Sequence, residues 1–245
     1  MKKVIFIAAA LFALAACNKE VINAPVSEVG YLSFDISADD IVVETKATVT
    51  NLDSYSVYVG SASYNYGTQI KNKVIEKTPG TYAIYAENIT PAAAHEGNGA
   101  LRLASETKNI TVAAGGTTTE SLVCKAVNAK IDVNFEDSFK NAFSSWSVTL
   151  GYENDDTRDL TTSAESESFF YNIDASKPDL TLDLTATPKS NGAAKTNSTK
   201  ITLQAGYHYT INYSAGANGY VGITVTADDS LIDAEDETVT VNPYN

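Results

Sequence analysis

Along most of the chain apolar residues recur at every second position, the period of a strand with one buried face and one wet face. Tyr31-Leu32-Ser33-Phe34-Asp35-Ile36-Ser37 puts Leu32, Phe34 and Ile36 on one side. Ser54 to Val59 and Gly80 to Ala86 alternate likewise and are rich in the aromatic and β-branched residues that fit a pleated surface. Lys108 to Val112 and Thr118 to Val123 follow, and Ala113-Ala114-Gly115-Gly116 between them predicts a hairpin turn. The pattern restarts at Ala129-Lys130-Ile131-Asp132-Val133-Asn134-Phe135. It continues through Trp146 to Leu150, Leu180 to Ala186, Lys200 to Leu203, Tyr207 to Tyr213, Val221 to Thr226 and Thr238 to Val241. One helical piece interrupts it over 137–144, where Phe139 and Phe143 stand four apart on one face and Asp137 or Ser138 can cap the first turn. The expected fold is all-β, with two consecutive antiparallel β-sandwich domains over residues 30–125 and 126–245 and a short helix in the second.

The start of the chain breaks this pattern. Lys2 and Lys3 precede an unbroken apolar run from Val4 to Ala16. Its length falls short of the roughly twenty residues that a membrane span needs and suits the core of an export signal over residues 1–16. Leu14-Ala15-Ala16-Cys17 matches the bacterial lipobox, which predicts cleavage after Ala16 and acylation of Cys17. Asn18 stands where an inner-membrane retention signal would have Asp, so the expected destination is the outer membrane, with membrane lipid as a partner. Residues 17–29 contain little apolar surface and include Pro25, the composition of a flexible tether.

Charge and cysteine content narrow the function. Losing residues 1–16 takes Lys2 and Lys3 from 17 basic residues and nothing from 30 acidic ones, so 15 oppose 30 and the formal charge falls from −13 to −15. Nucleic acid is not an expected partner of such a surface. Of the two cysteines only Cys124 remains as a thiol, so no internal disulfide is expected, and its run Ser121-Leu122-Val123-Cys124 reads as a buried strand.

No cofactor, metal centre or catalytic group is expected. His95 lies in Ala92-Ala93-Ala94-His95-Glu96-Gly97, a loop by composition, and His208 alternates with Tyr207 and Tyr209 on a strand, pointing away from them. Neither histidine has the spacing of a zinc site, and no nucleophile elbow, phosphate loop or dinucleotide fingerprint is present. The acidic residues gather in Glu153 to Asp159, Asp228-Asp229-Ser230 and Asp233 to Glu237, which read as solvated turns without the spaced oxygen ligands of a calcium loop. Among 14 tyrosines, Tyr55 is assigned to the core, and Tyr64 and Tyr66, in a Ser- and Asn-rich stretch, are the candidates for sugar stacking or partner contact.

Three stretches carry a family resemblance: Pro79-Gly80-Thr81-Tyr82-Ala83-Ile84-Tyr85-Ala86, Phe135 to Phe143, and Ala205-Gly206-Tyr207-His208-Tyr209-Thr210-Ile211-Asn212-Tyr213. The chain resembles the Bacteroidota surface lipoproteins that share a domain of unknown function, the 4493 series, and are similar to the fimbrillins. The resemblance implies a pair of transthyretin-like or immunoglobulin-like sandwiches and a non-enzymatic cell-surface role in adhesion or pilus-associated assembly, with other surface or pilus proteins, or glycans, as partners. It also implies a proteolytic site at Lys46, whose use would release the strands from Tyr31 to Val43 together with the lipid anchor. Asp229-Ser230-Leu231 resembles the O-glycosylation signal of this phylum and makes Ser230 a candidate acceptor. The competing expectation is a glycan-binding accessory lipoprotein of a nutrient-uptake system.

Overall fold

A computed structural model of the chain describes residues 29–38, 51–95, 99–152, 155–173, 176, 178–190, 192–216, 220–228 and 237–239. They form an almost entirely β protein with two hydrophobic cores. The strands of the first half are β1 (Gly30–Ala38), β2 (Ser56–Val59), β3 (Ala62–Asn65), β4 (Ile75–Lys77), β5 (Gly80–Glu87), β6 (Leu103–Ala104), β7 (Lys108–Val112) and β8 (Thr117–Ala126). Those of the second half are β9 (Asn128–Phe135), β10 (Phe143–Tyr152), β11 (Asp155–Thr162), β12 (Ser166–Asn172), β13 (Asp179–Pro188), β14 (Lys195–Thr202), β15 (His208–Ala215), β16 (Val221–Asp228) and β17 (Glu237–Val239). Two short helices, α1 (Pro91–His95) and α2 (Asp137–Ala142), complete the elements used below.

The two halves repeat one topology. In the first, β3-β2-β5-β7 faces β4-β1-β8, with β6 bridging β5 and β8. In the second, β11-β10-β13-β14 faces β12-β9-β15-β16-β17. Strand by strand the orders coincide, and the second half adds β16 and β17 beyond β15. The expected antiparallel pairing holds at most contacts. The exceptions are equivalent in the two halves: β1 runs parallel to β8 over eight residue pairs, and β9 runs parallel to β15 over six.

One local expectation is not met. The Ala113 to Gly116 turn forms, with Gly116 N donating to Ala113 O at 3.1 Å and Gly115 at φ +69°, a conformation that glycine adopts without strain. Its flanking strands are nevertheless not ladder partners: β7 pairs with β5, and β8 pairs with β1 and β6.

The first core takes Leu32, Phe34 and Ile36 from β1 together with Val57, Ile84, Val112, Leu122 and Cys124, and the second begins at Ala129. At one end of the second sandwich α2 lies over an aromatic group. Phe139 is stacked on Phe143 with centroids 4.3 Å apart and is tilted against Phe135 at 5.1 Å and edge-on to Trp146 at 5.7 Å. The helix is shorter than the 137–144 expected, because Phe143 is already extended and opens β10. Its N-cap is Glu136 without a side-chain bond, so neither Asp137 nor Ser138 caps it, and Ser138 Oγ instead accepts from Ala215 N at 3.2 Å.

The stretch around His95, expected to be a loop, forms α1. Thr90 Oγ1 accepts from Ala93 N at 3.3 Å, and Pro91 sits in the first turn, where its missing N–H costs nothing. The acidic stretch expected as a turn at Glu153 to Asp159 is largely strand, since Asp155 onward pairs with β10.

Phe139 is fully buried among the rings of Phe135, Phe143, Trp146 and Tyr213, so Phe139→Ala should cost about 3–5 kcal/mol of unfolding free energy in guanidinium titrations. A loss below about 1 kcal/mol would mean that the aromatic group does not hold α2 to the second core.

Candidate functional site

Four of the residues singled out in the sequence, Ala16, Cys17, Lys46 and Ser230, lie outside the described residues. The strand that precedes Lys46 is described. β1 sits between β4 and β8, clamped at its start by Tyr31 N donating to Gly116 O and by Gly115 N donating to Val29 O, both at 2.8 Å. A Cβ on Gly30 would collide with Ala113 O and Val112 Cγ1, so glycine is required for the strand to enter beside the turn. Beyond this clamp β1 is held by eight parallel pairings and three antiparallel ones, and by three apolar side chains in the core.

The two tyrosine candidates separate. Tyr66 does not serve as a surface contact: it lies in a single π-helical turn over Tyr66–Ile70, is 6% exposed and packs in the first core, its N–H bonded to Tyr55 O at 2.7 Å. The polar neighbours that suggested exposure belong to the outer side of that turn, where Asn65 Oδ1 accepts from Thr68 N. Tyr64 is half-buried, with Lys77 Nζ 5.2 Å from its ring centroid. Tyr55 is in the core as expected.

A different tyrosine pair was not singled out by the sequence. Tyr58 and Tyr85 are opposite residues on β2 and β5, and their rings stack at 4.4 Å with an interplanar angle of 5°. The only sequence signal for them is cross-strand register, which a single chain does not disclose. Beside them Glu87 is 3% exposed and accepts from Arg102 Nη2 at 2.7 Å and Nε at 3.1 Å. Partial burial, and then the Glu87 carboxylate, push both tyrosine hydroxyls above their usual range.

Arg102 also lines a cavity of about 450 Å³ between the two sandwiches, with Pro91, Ala92, His95, Asn172 and Ile173. The walls are tied together. Fully buried Asn128 accepts from Arg102 N at 3.0 Å and donates from Nδ2 to Ala100 O at 2.8 Å. Asn172 Nδ2 donates to Pro91 O at 2.6 Å, and the His95 ring meets Tyr171 edge-on at 4.8 Å. Apolar walls with a guanidinium, an imidazole and an amide suit a small polar ligand.

The remaining chemistry is weakly reactive. Burial pushes the Cys124 thiol up to about 11, so it is not a thiolate nucleophile. On the outer face of the second sandwich Asp132 accepts from Ser168 Oγ at 2.6 Å, from Lys130 Nζ at 3.1 Å and from His208 Nε2 at 2.7 Å. The carboxylate stands between serine and histidine, so the histidine cannot take the serine proton as a catalytic triad requires. Among the described residues no three His, Cys, Asp or Glu side chains gather to hold a metal.

Burial alone would raise the Asp132 carboxyl, but the hydrogen bonds from His208, Ser168 and Lys130 outweigh it and hold the group well below the usual carboxylate range. A depressed folded-state value stabilises the fold above the unfolded value, near 3.9, and this contribution is lost progressively as pH falls below it toward the folded-state value. Asp132→Asn should therefore melt at a lower temperature than the natural chain at pH 7. Circular dichroism should find the gap closing below about pH 4; a gap that is constant with pH would mean the network contributes no charge-dependent stability.

Among the described residues no helix is long and apolar enough to cross a membrane. No curated protein matches the chain. Solved structures similar to it include a candidate polysaccharide-binding protein (DUF1812) of Bacteroides thetaiotaomicron VPI-5482, at 10% identity and TM-score 0.47, covering 86% of this chain and 98% of that one. A candidate adhesin of Bacteroides ovatus matches at 8% identity and TM-score 0.46, with 86% and 95% covered. A candidate cell adhesion protein of Parabacteroides distasonis ATCC 8503 matches at 11% identity and TM-score 0.45, with 83% and 99% covered. The family model described as Domain of unknown function (DUF4493) matches residues 28–243, and the chain belongs to that family.

Proposed function

We propose that this chain is a non-enzymatic, fimbrillin-like surface lipoprotein that works in adhesion or pilus-associated assembly, held to the outer membrane by lipid on Cys17 and lifted from it by the tether 17–29. Residues 30–125 and 126–245 act as its two domains, and Ser230 is an acceptor for O-linked sugar.

The observation that carries this reading is the position of β1. It is the first described strand, it lies within a sheet, and the Lys46 bond follows it in the chain. Its departure would leave a groove between β4 and β8 that only another extended segment could fill. Burying Leu32, Phe34 and Ile36 is worth about 1.5–3 kcal/mol each, so a chain cut at Lys46 keeps its first sandwich only when a replacement strand arrives. In the anchored adhesin β1 stays in place, and that form is the one we favour.

Intact mass and N-terminal sequencing of protein taken from the cell surface test it. The expected product begins at acylated Cys17. A chain beginning at Ala47 would replace the anchored adhesin with a polymerising subunit, and an unacylated N-terminus at any other residue would remove the lipoprotein reading.

One observation favours the glycan-binding alternative: the stacked Tyr58 and Tyr85 beside the Glu87–Arg102 pair, with Tyr64 on the same first sandwich. Affinity electrophoresis against a polysaccharide panel distinguishes the two. Retardation by one glycan that is lost in Tyr85→Ala or Tyr64→Ala would favour the alternative; uniform mobility supports the adhesin.

A further inference from the structure

The repeated topology exposes a difference between the halves. In the second sandwich β15 is flanked on one side by β9 and along its whole length on the other by β16, from His208 opposite Asp228 to Ala215 opposite Val221. In the first, the equivalent strand β8 has β1 on one side, but on the other only Lys125 and Ala126 are paired, by β6. Among the described residues no strand pairs with Thr117 to Cys124 on that side. Among the described residues nothing takes in the first half the place that β16 fills in the second.

This flank of β8 has the features of a slot. A cavity of about 510 Å³ runs along it, lined by Ala104, Lys108, Leu122, Val123, Lys125 and Ala126. Val123, 42% exposed, is one of three large apolar residues that the described part of the chain leaves exposed. Thr118 and Glu120 are half-buried polar residues in the row that Leu122 and Cys124 continue into the core. Lys108 stands across the opening, paired with Glu120 at 2.6 Å and donating from Nζ to Ser121 O at 2.9 Å. A lysine on an unpaired edge blunts it against indiscriminate pairing, and this one occupies an acceptor that an added strand would use.

We infer that the outer edge of β8 is a strand-addition site for an extended segment of a partner protein, running antiparallel to β8. That segment has the chemistry of Val221-Gly222-Ile223-Thr224-Val225-Thr226-Ala227: β-branched or small apolar residues at alternate positions, with hydroxyl or glycine residues between. The occupant is identified by the strand the chain itself lays on the equivalent edge, whose Ile223, Val225 and Ala227 are buried. The slot lies on the side of β8 opposite to β1, so it exists with β1 in place and is independent of cleavage at Lys46.

The test uses the acylated full-length protein in detergent and a fluorescein-labelled peptide copying residues 220–228, followed by anisotropy. Saturable binding is expected, tightened at least threefold by Lys108→Ala, which frees the Ser121 carbonyl. Val123→Pro, which removes an N–H on the open edge, should weaken binding at least tenfold. Residues alternate in the side to which their N–H points, so of two peptides N-methylated on Val221, Ile223, Val225 and Ala227 or on Gly222, Thr224 and Thr226, one set alone should abolish binding. Absence of saturable binding to both the natural protein and Lys108→Ala overturns the site, as does binding indifferent to Val123→Pro or equal loss in both methylated peptides. If Val123→Pro fails to fold by circular dichroism, the Lys108→Ala gain decides, and no gain overturns the site. None of these outcomes bears on the lipid anchor or on β1.

Discussion

In each half of this protein the strand that opens the unit lies between two later ones, antiparallel to one and parallel to the other. β1 is set between β4 and β8, and β9 between β12 and β15. A parallel neighbour cannot be reached through a tight turn, so each opening strand must wait for a partner more than seventy residues further along. Both cores are therefore closed by long-range pairings. Gly30 must be small where the entering strand meets the Ala113 to Gly116 turn.

The junction depends on polar groups that leave water. Asn128, at the point where the first unit ends and the second begins, uses its amide to hold the 100–102 segment. The buried Glu87 is neutralised by Arg102, which also faces the cavity at the junction. Removing one member of a buried pair leaves an uncompensated charge, so these residues constrain the surface between the sandwiches more tightly than apolar contact alone would. The stacked tyrosines lie beside this ion pair.

Elsewhere the polar chemistry is arranged for cohesion. Ser168, Asp132, Lys130 and His208 form a cross-strand network on the outer face of the second sandwich, and Ser166 and Asn134 continue it on the neighbouring row through a 2.6 Å bond from Ser166 Oγ. Donors converge on the carboxylate, and no base is left beside the serine. The network ties β12, β9 and β15 together on the face that has no core to hold it.

Alternation of apolar and polar residues was enough to establish the β class, most strands, the helix at Phe139 and the core positions of Tyr55 and Cys124, because period and burial are local properties of one strand. The strands that escaped, among them β3, β4 and β12, are short or lack a clean alternation, and α1 is a five-residue turn hidden among alanines. Register, sheet membership and direction of pairing were decided only by the tertiary structure, since they depend on which strand arrives beside which. For that reason Tyr66 looked available and is buried, while the Tyr58–Tyr85 stack, the Glu87–Arg102 pair and the open flank of β8 could not be read from residue order.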